Sequence, residues 1–222
     1  MTTVGIIGSG NIGSTVARLA VGAEHEVVLR NSRGPETLQE LVTELGSRAR
    51  AATRDEAAAA GDIVLVSIPI KAYPTLSGAA WAGTTVMDTG NYYPERDGEI
   101  PELTTKTLTD SEYLAGLLPG AEVVKVFNNI YFKHLLNLAR HSGASDRSAL
   151  PIAGDSAPAK AAVAGFLDSI GYDAVDARSL SDSWRQQPGT PVYGTPYGPF
   201  DNEHGTSADA SSIRSALAAA LR

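Results

Sequence analysis

At 222 residues, with 43% apolar and 19% charged side chains, the chain can build one sizeable core and has the composition of an ordinary soluble globular protein. Its formal net charge of -7 excludes general attraction to a polyanion, so no nucleic-acid partner is expected. The absence of cysteine excludes disulfides, thiolate nucleophiles and iron–sulfur clusters, and with no secretory signal and no apolar run long enough for a bilayer it points to a cytoplasmic protein with no membrane partner.

Short apolar runs alternate with amphipathic helical segments along the chain, the pattern of a parallel sheet covered by helices. "TVGIIG" (3–8) reads as a buried strand, and Ile12, Val16, Leu19 and Ala20 share one face of the helix that follows. "EVVLR" (26–30) is the second strand. "GPETLQELVTELG" (34–46) reads as a helix, with Pro35 near its start and Gly46 as its stop. A short strand near 49–52 and an alanine-rich helix at 53–60 precede "DIVLVSIP" (62–69), whose continuous apolar run predicts a central strand. "TTVMD" (84–88), "EVVKVF" (122–127), "LPIAG" (150–154) and "DAVDA" (173–177) are further strands. Two regions break this rhythm: 92–110 reads as a surface loop, and 185–207 as a long Pro- and Gly-rich loop whose aromatics argue that it packs onto something. A last helix near 209–221 presents Ile213, Leu217 and Leu221 at one-turn spacing. The expected fold is α/β, a Rossmann-like, doubly wound, mostly parallel sheet. Residues 1–180 form the dinucleotide-binding domain, and 181–222 a short C-terminal extension of loop and helix that serves as substrate wall or dimer contact.

Gly8, Gly10 and Gly13 fit G-x-G-x-x-G between a strand and a helix. Each glycine has a separate duty there: the tight turn, the approach of the backbone to a pyrophosphate, and close helix–strand packing, with free N–H groups at the helix start holding phosphate. At the end of the second strand an acid would accept from the ribose hydroxyls of NAD and repel the extra phosphate of NADP. This chain instead has Asn31, Ser32 and Arg33, donors that suit a phosphate, so NADP(H) is the expected cofactor. Arg30 can assist, ranked below Arg33 because strand-end arginines are more often solvated.

With the glycine loop, "NSR" (31–33), "VSIP" (66–69) and "VVKVFNN" (123–129), the sequence resembles the coenzyme F(420)-dependent NADP oxidoreductase family over roughly residues 3 to 180. The resemblance implies a Rossmann enzyme that moves hydride between NADPH and a deazaflavin. It also implies a phosphate loop at Ser9, Gly10, Asn11 and Ile12, an NADP-phosphate grip at Ser32 and Arg33, and a cleft wall at Ser67, Ile68 and Pro69. Where family members can place a second basic residue after the "SR" pair, this chain has Gly34, Pro35 and Glu36. "DTGNYYPERDG" (88–98) and the tail after Trp184 also depart from the deazaflavin-reducing pattern.

Ligands of open parallel sheets bind beyond the carboxyl ends of the strands, near the switch in strand order. Asn91, Asn128 and Asn129 fall there and can hydrogen-bond a nicotinamide carboxamide, turn capping being their structural alternative. Lys71 is a candidate acid or anion contact, and Tyr92 and Tyr93 can stack on a flat acceptor or cover the sheet edge. His134 lies in a helix after "FNNIYF" and can face the cleft, although an exposed helix histidine is the favoured reading. Trp184, Arg185 and Tyr193 offer flat surfaces and a cation from the segment 184–200, expected to wall the acceptor site from the same or a partner subunit. No catalytic residue is identified and no histidine has metal-ligand spacing. Hydride transfer between planar rings needs position and a dry cleft more than acid–base help. The leading function is hydride transfer between NADP(H) and a deazaflavin, coenzyme F(420), or a similar flat acceptor. The alternatives are reduction of a small carbonyl or imine and a non-catalytic NADP-binding redox sensor. A homodimer is expected from the apolar face of the last helix and the aromatic side chains of the loop before it.

Overall fold

The computed structural model describes residues 1–77 and 81–222. Eight strands form one sheet in the order β3-β2-β1-β4-β5-β6-β7-β8. They are β1 (Thr3–Ile7), β2 (Glu26–Arg30), β3 (Ala49–Ala51), β4 (Ile63–Val66), β5 (Thr85–Asp88), β6 (Glu122–Lys125), β7 (Ala149–Gly154) and β8 (Asp173–Asp176). The first six are parallel in the doubly wound order 3-2-1-4-5-6, with the switch between β1 and β4. β7 then runs antiparallel to β6, and β8 parallel to β7. The four residues of β4 are fully apolar and buried, because helices cover both faces of the sheet there.

α1 (Asn11–Gly22), α2 (Gln39–Leu45), α3 (Arg54–Ala60) and α9 (Ala210–Ala218) follow the expected helical segments, with one division, and α7 (Phe132–Asn137) and α8 (Ala157–Ser169) lie between β6 and β8. The run 34–46 is a 3-10 turn over Pro35–Leu38 followed by α2, so only Leu38 and Leu45 of its apolar face are fully buried. The region 92–110 is not the open surface loop expected. It holds two single-turn helices started by prolines, α4 (Pro94–Asp97) and α5 (Pro101–Thr104), whose Asp97 and Leu103 are buried. α6 (Asp110–Leu117) follows, opened by a capping box in which Thr109 accepts from the Glu112 N–H and Glu112 accepts from the Thr109 N–H.

Residues 181–222 share the main core. Val192, Tyr197, Ile213 and Leu217 are buried in the same apolar cluster as Val4, Leu65 and Val163. The Tyr197 hydroxyl donates to the Ala149 carbonyl of β7 (2.8 Å), and the Ala149 N–H to the Ala208 carbonyl (2.8 Å). The apolar face of α9 is therefore covered within the chain at Ile213 and Leu217, while Leu221, past the helix end, and Phe200, in the loop before it, are exposed. No described helix is long and apolar enough to cross a membrane.

Candidate active site

Two cavities flank the glycine loop at the switch in strand order, and the three glycines divide their duties sharply. Gly8 leaves β1 with φ +106°, and a Cβ there would stand 2.2 Å from the Ser67 carbonyl oxygen. A Cβ on Gly13 would stand 1.9 Å from the Gly8 carbonyl oxygen. The protein itself therefore requires both. A Cβ on Gly10 would meet nothing within 4 Å. Gly10 is the extended N-cap of α1, with no side-chain cap and no acid in the first turn, so the first N–H groups and the positive helix end are open to an anion. The fold gives no reason for a glycine at position 10; a ligand lying against that backbone does.

One cavity, of about 490 Å³, lies on the β2 side and collects Gly8, Ser9 and Gly10 with Asn31, Ser32 and Arg33, and with Ser67, Ile68 and Pro69 from the end of β4. The sequence motifs thus converge on one space. Ser32 and Arg33 are exposed, and neither side chain is engaged by the described residues. Asn31 is different: its Oδ1 accepts from the Arg33 N–H (3.0 Å) and its Nδ2 donates to Thr37 Oγ1 (2.7 Å). Its amide shapes the turn that presents its neighbours.

The second cavity, of about 480 Å³, opens on the other side of Asn11 and Ile12. Asn91, Asn128 and Asn129 line it as expected, and Tyr193 reaches it from the C-terminal segment. Asn91 Nδ2 donates to the Asn128 carbonyl (2.8 Å), while Asn128 Nδ2 donates to Asn91 Oδ1 (2.9 Å) and to the Gln186 carbonyl (2.6 Å). Asn129 Nδ2 donates to the Val192 carbonyl (3.1 Å). The three amide nitrogens therefore tie the loops together. Asn128 Oδ1 and Asn129 Oδ1 are left buried and without partners, acceptors that suit the amide hydrogens of a carboxamide. Phe127, which precedes them at the end of β6, is fully buried with φ +64°.

Tyr131 and Phe132, within the stretch "FNNIYF" (127–132), and Phe200, at the end of the segment 184–200, also line this second cavity, while sequence reasoning missed Arg96. Arg96 is its only charged lining residue among the described residues. It is held by Asp97 through Nε (3.1 Å) and Nη2 (2.7 Å), and Nη2 also donates to the Asn91 carbonyl (2.6 Å). Burial would raise the Asp97 carboxyl, but Arg96 and the N–H groups of Tyr93 and Lys71 outweigh it and hold it below the usual carboxylate range. The hydroxyls of Tyr93 and Tyr193 share a hydrogen bond of 2.6 Å, and burial followed by that bond pushes the Tyr193 hydroxyl well up, so it is neutral at ordinary pH.

Beneath this cavity lies an ionic cluster on adjacent strands. Asp88 and Lys125 face each other across β5 and β6, both side chains fully buried, with Nζ to Oδ2 at 3.3 Å. Asp88 also accepts from the Tyr73 hydroxyl (2.5 Å), Ser111 Oγ (2.6 Å) and the Gly90 N–H (2.9 Å), while Lys125 donates to the Gly90 carbonyl. Burial alone would raise the Asp88 carboxyl; Lys125 and these donors hold it below the usual range. Nearby Asp110 is raised, because burial outweighs Lys125. The cluster fixes the turn 88–91 that carries Thr89 and Asn91 into the cavity.

Five candidates lie elsewhere. Tyr92 is a strut: its hydroxyl donates to the Gly98 carbonyl (2.9 Å) and accepts from the Ile100 N–H (3.0 Å). His134 is turned inward by α7 and buried, its Nε2 against the Asn202 carbonyl (2.6 Å). Trp184 lines a separate cavity with Asp110 and Gln187, its ring covered by Arg185 at 4.6 Å. Arg185 in turn holds the Leu217 carbonyl of α9 (3.4 Å). Lys71 braces α4, with Nζ on the Arg96 carbonyl (3.0 Å).

Residues 3–92 match the family described as NADP oxidoreductase coenzyme F420-dependent. The chain is 30% identical over 182 residues to metalloreductase STEAP3 of Rattus norvegicus, covering 81% of this chain and 34% of that one, so it spans about a third of the length of this curated relative. The crystal structure of a hypothetical protein, SMa0349 from Sinorhizobium meliloti, is similar with a TM-score of 0.75 and 30% identity, covering 86% of this chain and 93% of that one. That of a putative F420-dependent NADP-reductase from Arthrobacter sp. FB24 has a TM-score of 0.69 at 24% identity, covering 83% and 88%, a likeness of fold.

Proposed function

We propose that the chain, whose residues 3–92 match the family described as NADP oxidoreductase coenzyme F420-dependent, transfers hydride between NADP(H) and a flat acceptor of the deazaflavin class. The observation that carries the cofactor half is Gly10, whose missing side chain the protein alone does not require. In this reading the backbone at Gly10 and the first N–H groups of α1 take the pyrophosphate. Ser32 and Arg33 take the 2′-phosphate, and Asn128 Oδ1 accepts from the carboxamide. Bound NADPH supplies the hydride. The chain's own work is to fix the ring and exclude water, and Ile12, Phe127, Tyr131 and Phe132 give the second cavity an apolar, aromatic lining suited to a planar acceptor.

The reading is tested by mixing the protein with NADPH and oxidised coenzyme F(420) and following the nicotinamide absorbance. NADPH oxidation that depends on the deazaflavin supports it. Tight NADPH binding with no turnover on any acceptor overturns the catalytic reading in favour of a redox sensor.

One observation favours a second reading, reduction of a small carbonyl or imine. Tyr93 and Tyr193 have two O–H groups and one bond between them, which leaves one donor for a substrate oxygen or nitrogen at the cavity. NADPH consumption with carbonyl or imine substrates, and none with the deazaflavin, selects it.

A further inference from the structure

The cavity on the β2 side has a second cation, which the motif reading ranks only as an assistant to Arg33. Arg30, the last residue of β2, is half-buried and lines the same space as Ser32 and Arg33. Its guanidinium makes no hydrogen bond or ion pair with the described residues; only its backbone carbonyl is engaged, by the Gly8 N–H (2.8 Å). A strand-end arginine with no duty ordinarily extends into water. This one stays half-buried beside a second guanidinium. Arg54 is held there by Asp55 through Nε (2.7 Å) and by the carbonyl of Thr75, itself a lining residue of the cavity. Burial and then the Arg54 charge both press against the protonated form of Arg30, with Asp55 a smaller opposing influence. Two neighbouring cations, one of them partly stripped of water and unpaired, are unfavourable in the empty cavity and become favourable when an anion enters. On the other flank of Arg33, where a further basic residue would complete a phosphate grip, Glu36 packs its carboxylate against Gly34.

We propose that Arg30, backed by Arg54, is the second cation of the 2′-phosphate site and sets the preference for NADPH over NADH together with Arg33. The proposal rests on the NADP reading above. It replaces a grip drawn from one loop by a grip drawn from two strand ends, with Arg30 reaching in from β2 and Arg54 fixed at the end of the β3–α3 turn. Arg33 is exposed and free to swing, so it can close on the phosphate after Arg30 has met it.

The test is titration calorimetry of NADPH, NADH and adenosine 2′,5′-bisphosphate against the unaltered protein and its Arg30→Gln, Arg33→Ala and Arg54→Gln variants. Thermal melting confirms folding; the Arg30 side chain has no partner to lose, and Arg30→Lys provides a milder second variant that keeps the charge. Arg30→Gln should weaken NADPH and the bisphosphate about tenfold or more and NADH less than about threefold. Arg54→Gln should weaken NADPH by a smaller factor, and Arg30→Lys should fall between Arg30→Gln and the unaltered protein. A folded Arg30→Gln protein that discriminates as well as the unaltered one, while Arg33→Ala does not, overturns the proposal and leaves the NADP reading standing. A larger loss in Arg54→Gln than in Arg30→Gln overturns the assignment to Arg30. Equal affinity of the unaltered protein for NADPH and NADH overturns both.

Discussion

The two cavities beside the glycine loop are built on opposite plans. On the β2 side the polar side chains of Ser32, Arg33 and Arg30 are free, and the backbone at Gly10 lies open. On the other side nearly every donor is engaged: the amides of Asn91, Asn128 and Asn129 tie loops, Arg96 holds Asp97, and Thr89 Oγ1 donates to the Val66 carbonyl (3.3 Å). Free donors mark a surface made for a charged ligand, since water satisfies them until the ligand arrives. Engaged donors mark a surface whose shape is its specificity. What remains available on the second side is the Asn128 and Asn129 oxygens, aromatic rings and one shared tyrosyl hydroxyl.

This contrast breaks first at the buried ion pair. Asp88→Asn removes the charged partner of Lys125 without changing shape, and should cost about 3–5 kcal/mol in denaturant unfolding. Arg33→Ala, on the free side, should change stability by no more than about 0.5 kcal/mol. Similar losses for the two would erase the distinction between the halves.

Next come the glycines. Gly13→Ala should destabilise the fold by about 1–3 kcal/mol, because its methyl group has no room beside the Gly8 carbonyl. Gly10→Val should melt close to the unaltered protein yet fail to bind NADPH in fluorescence titration. A Gly10→Val protein that still binds NADPH normally would make the loop a structural turn.

A smaller effect sharpens the acceptor side. Tyr193→Phe removes a neutral hydrogen bond and should lower kcat/KM for the acceptor by about 0.5–1.5 kcal/mol while leaving the NADPH dissociation constant unchanged. A change in NADPH affinity instead would move Tyr193 to the cofactor side.

The smallest effect lies away from both cavities. His25 Nδ1 accepts from the Thr2 N–H (3.1 Å) and its Nε2 meets Ser169 Oγ (2.7 Å), a chain that requires the neutral ring. Burial, and then the positive N-terminus, lower its affinity for a proton below the usual histidine value of 6.5. The unfolded chain therefore takes up a proton first as pH falls. The contribution should be complete above pH 6.5, decline as pH drops through that value, and level off below the native one. Unfolding midpoints of the unaltered protein and His25→Gln across that range measure it; equal pH slopes would remove His25 as the cause.

The same contrast explains what could be read in the sequence. The phosphate side is local: three glycines within six residues and "NSR" at one strand end carry their meaning in short spacing, and most of the eight strands showed as apolar runs. α6 had a signal too, the capping box "TDSE" at 109–112, passed over inside a polar stretch. The acceptor side is non-local. Tyr93 and Tyr193 are 100 residues apart in sequence, and Asp88 and Lys125 37 apart. His134 and Trp184 read differently for the same reason: residue type advertised chemistry, while His134 is turned against Asn202 and Gly205, and Trp184 lies under Arg185 and Arg222. Arg96 looked like any charge in a polar loop because its buried partner, Asp97, gave no sign of being buried.

The placement of Val192, Tyr197, Ile213 and Leu217 in the central cluster also has a consequence in time. Synthesis runs from the N-terminal side, so the glycine loop and its strands emerge long before the side chains that close the core over β7 and β8. Until then Tyr172 and the inner face of α7 lack their cover, and the unfinished chain presents apolar surface to its neighbours. Truncation at residue 190 should therefore yield aggregated material, whereas removal of Leu221 and Arg222, which lie beyond α9, should leave a soluble protein in expression trials.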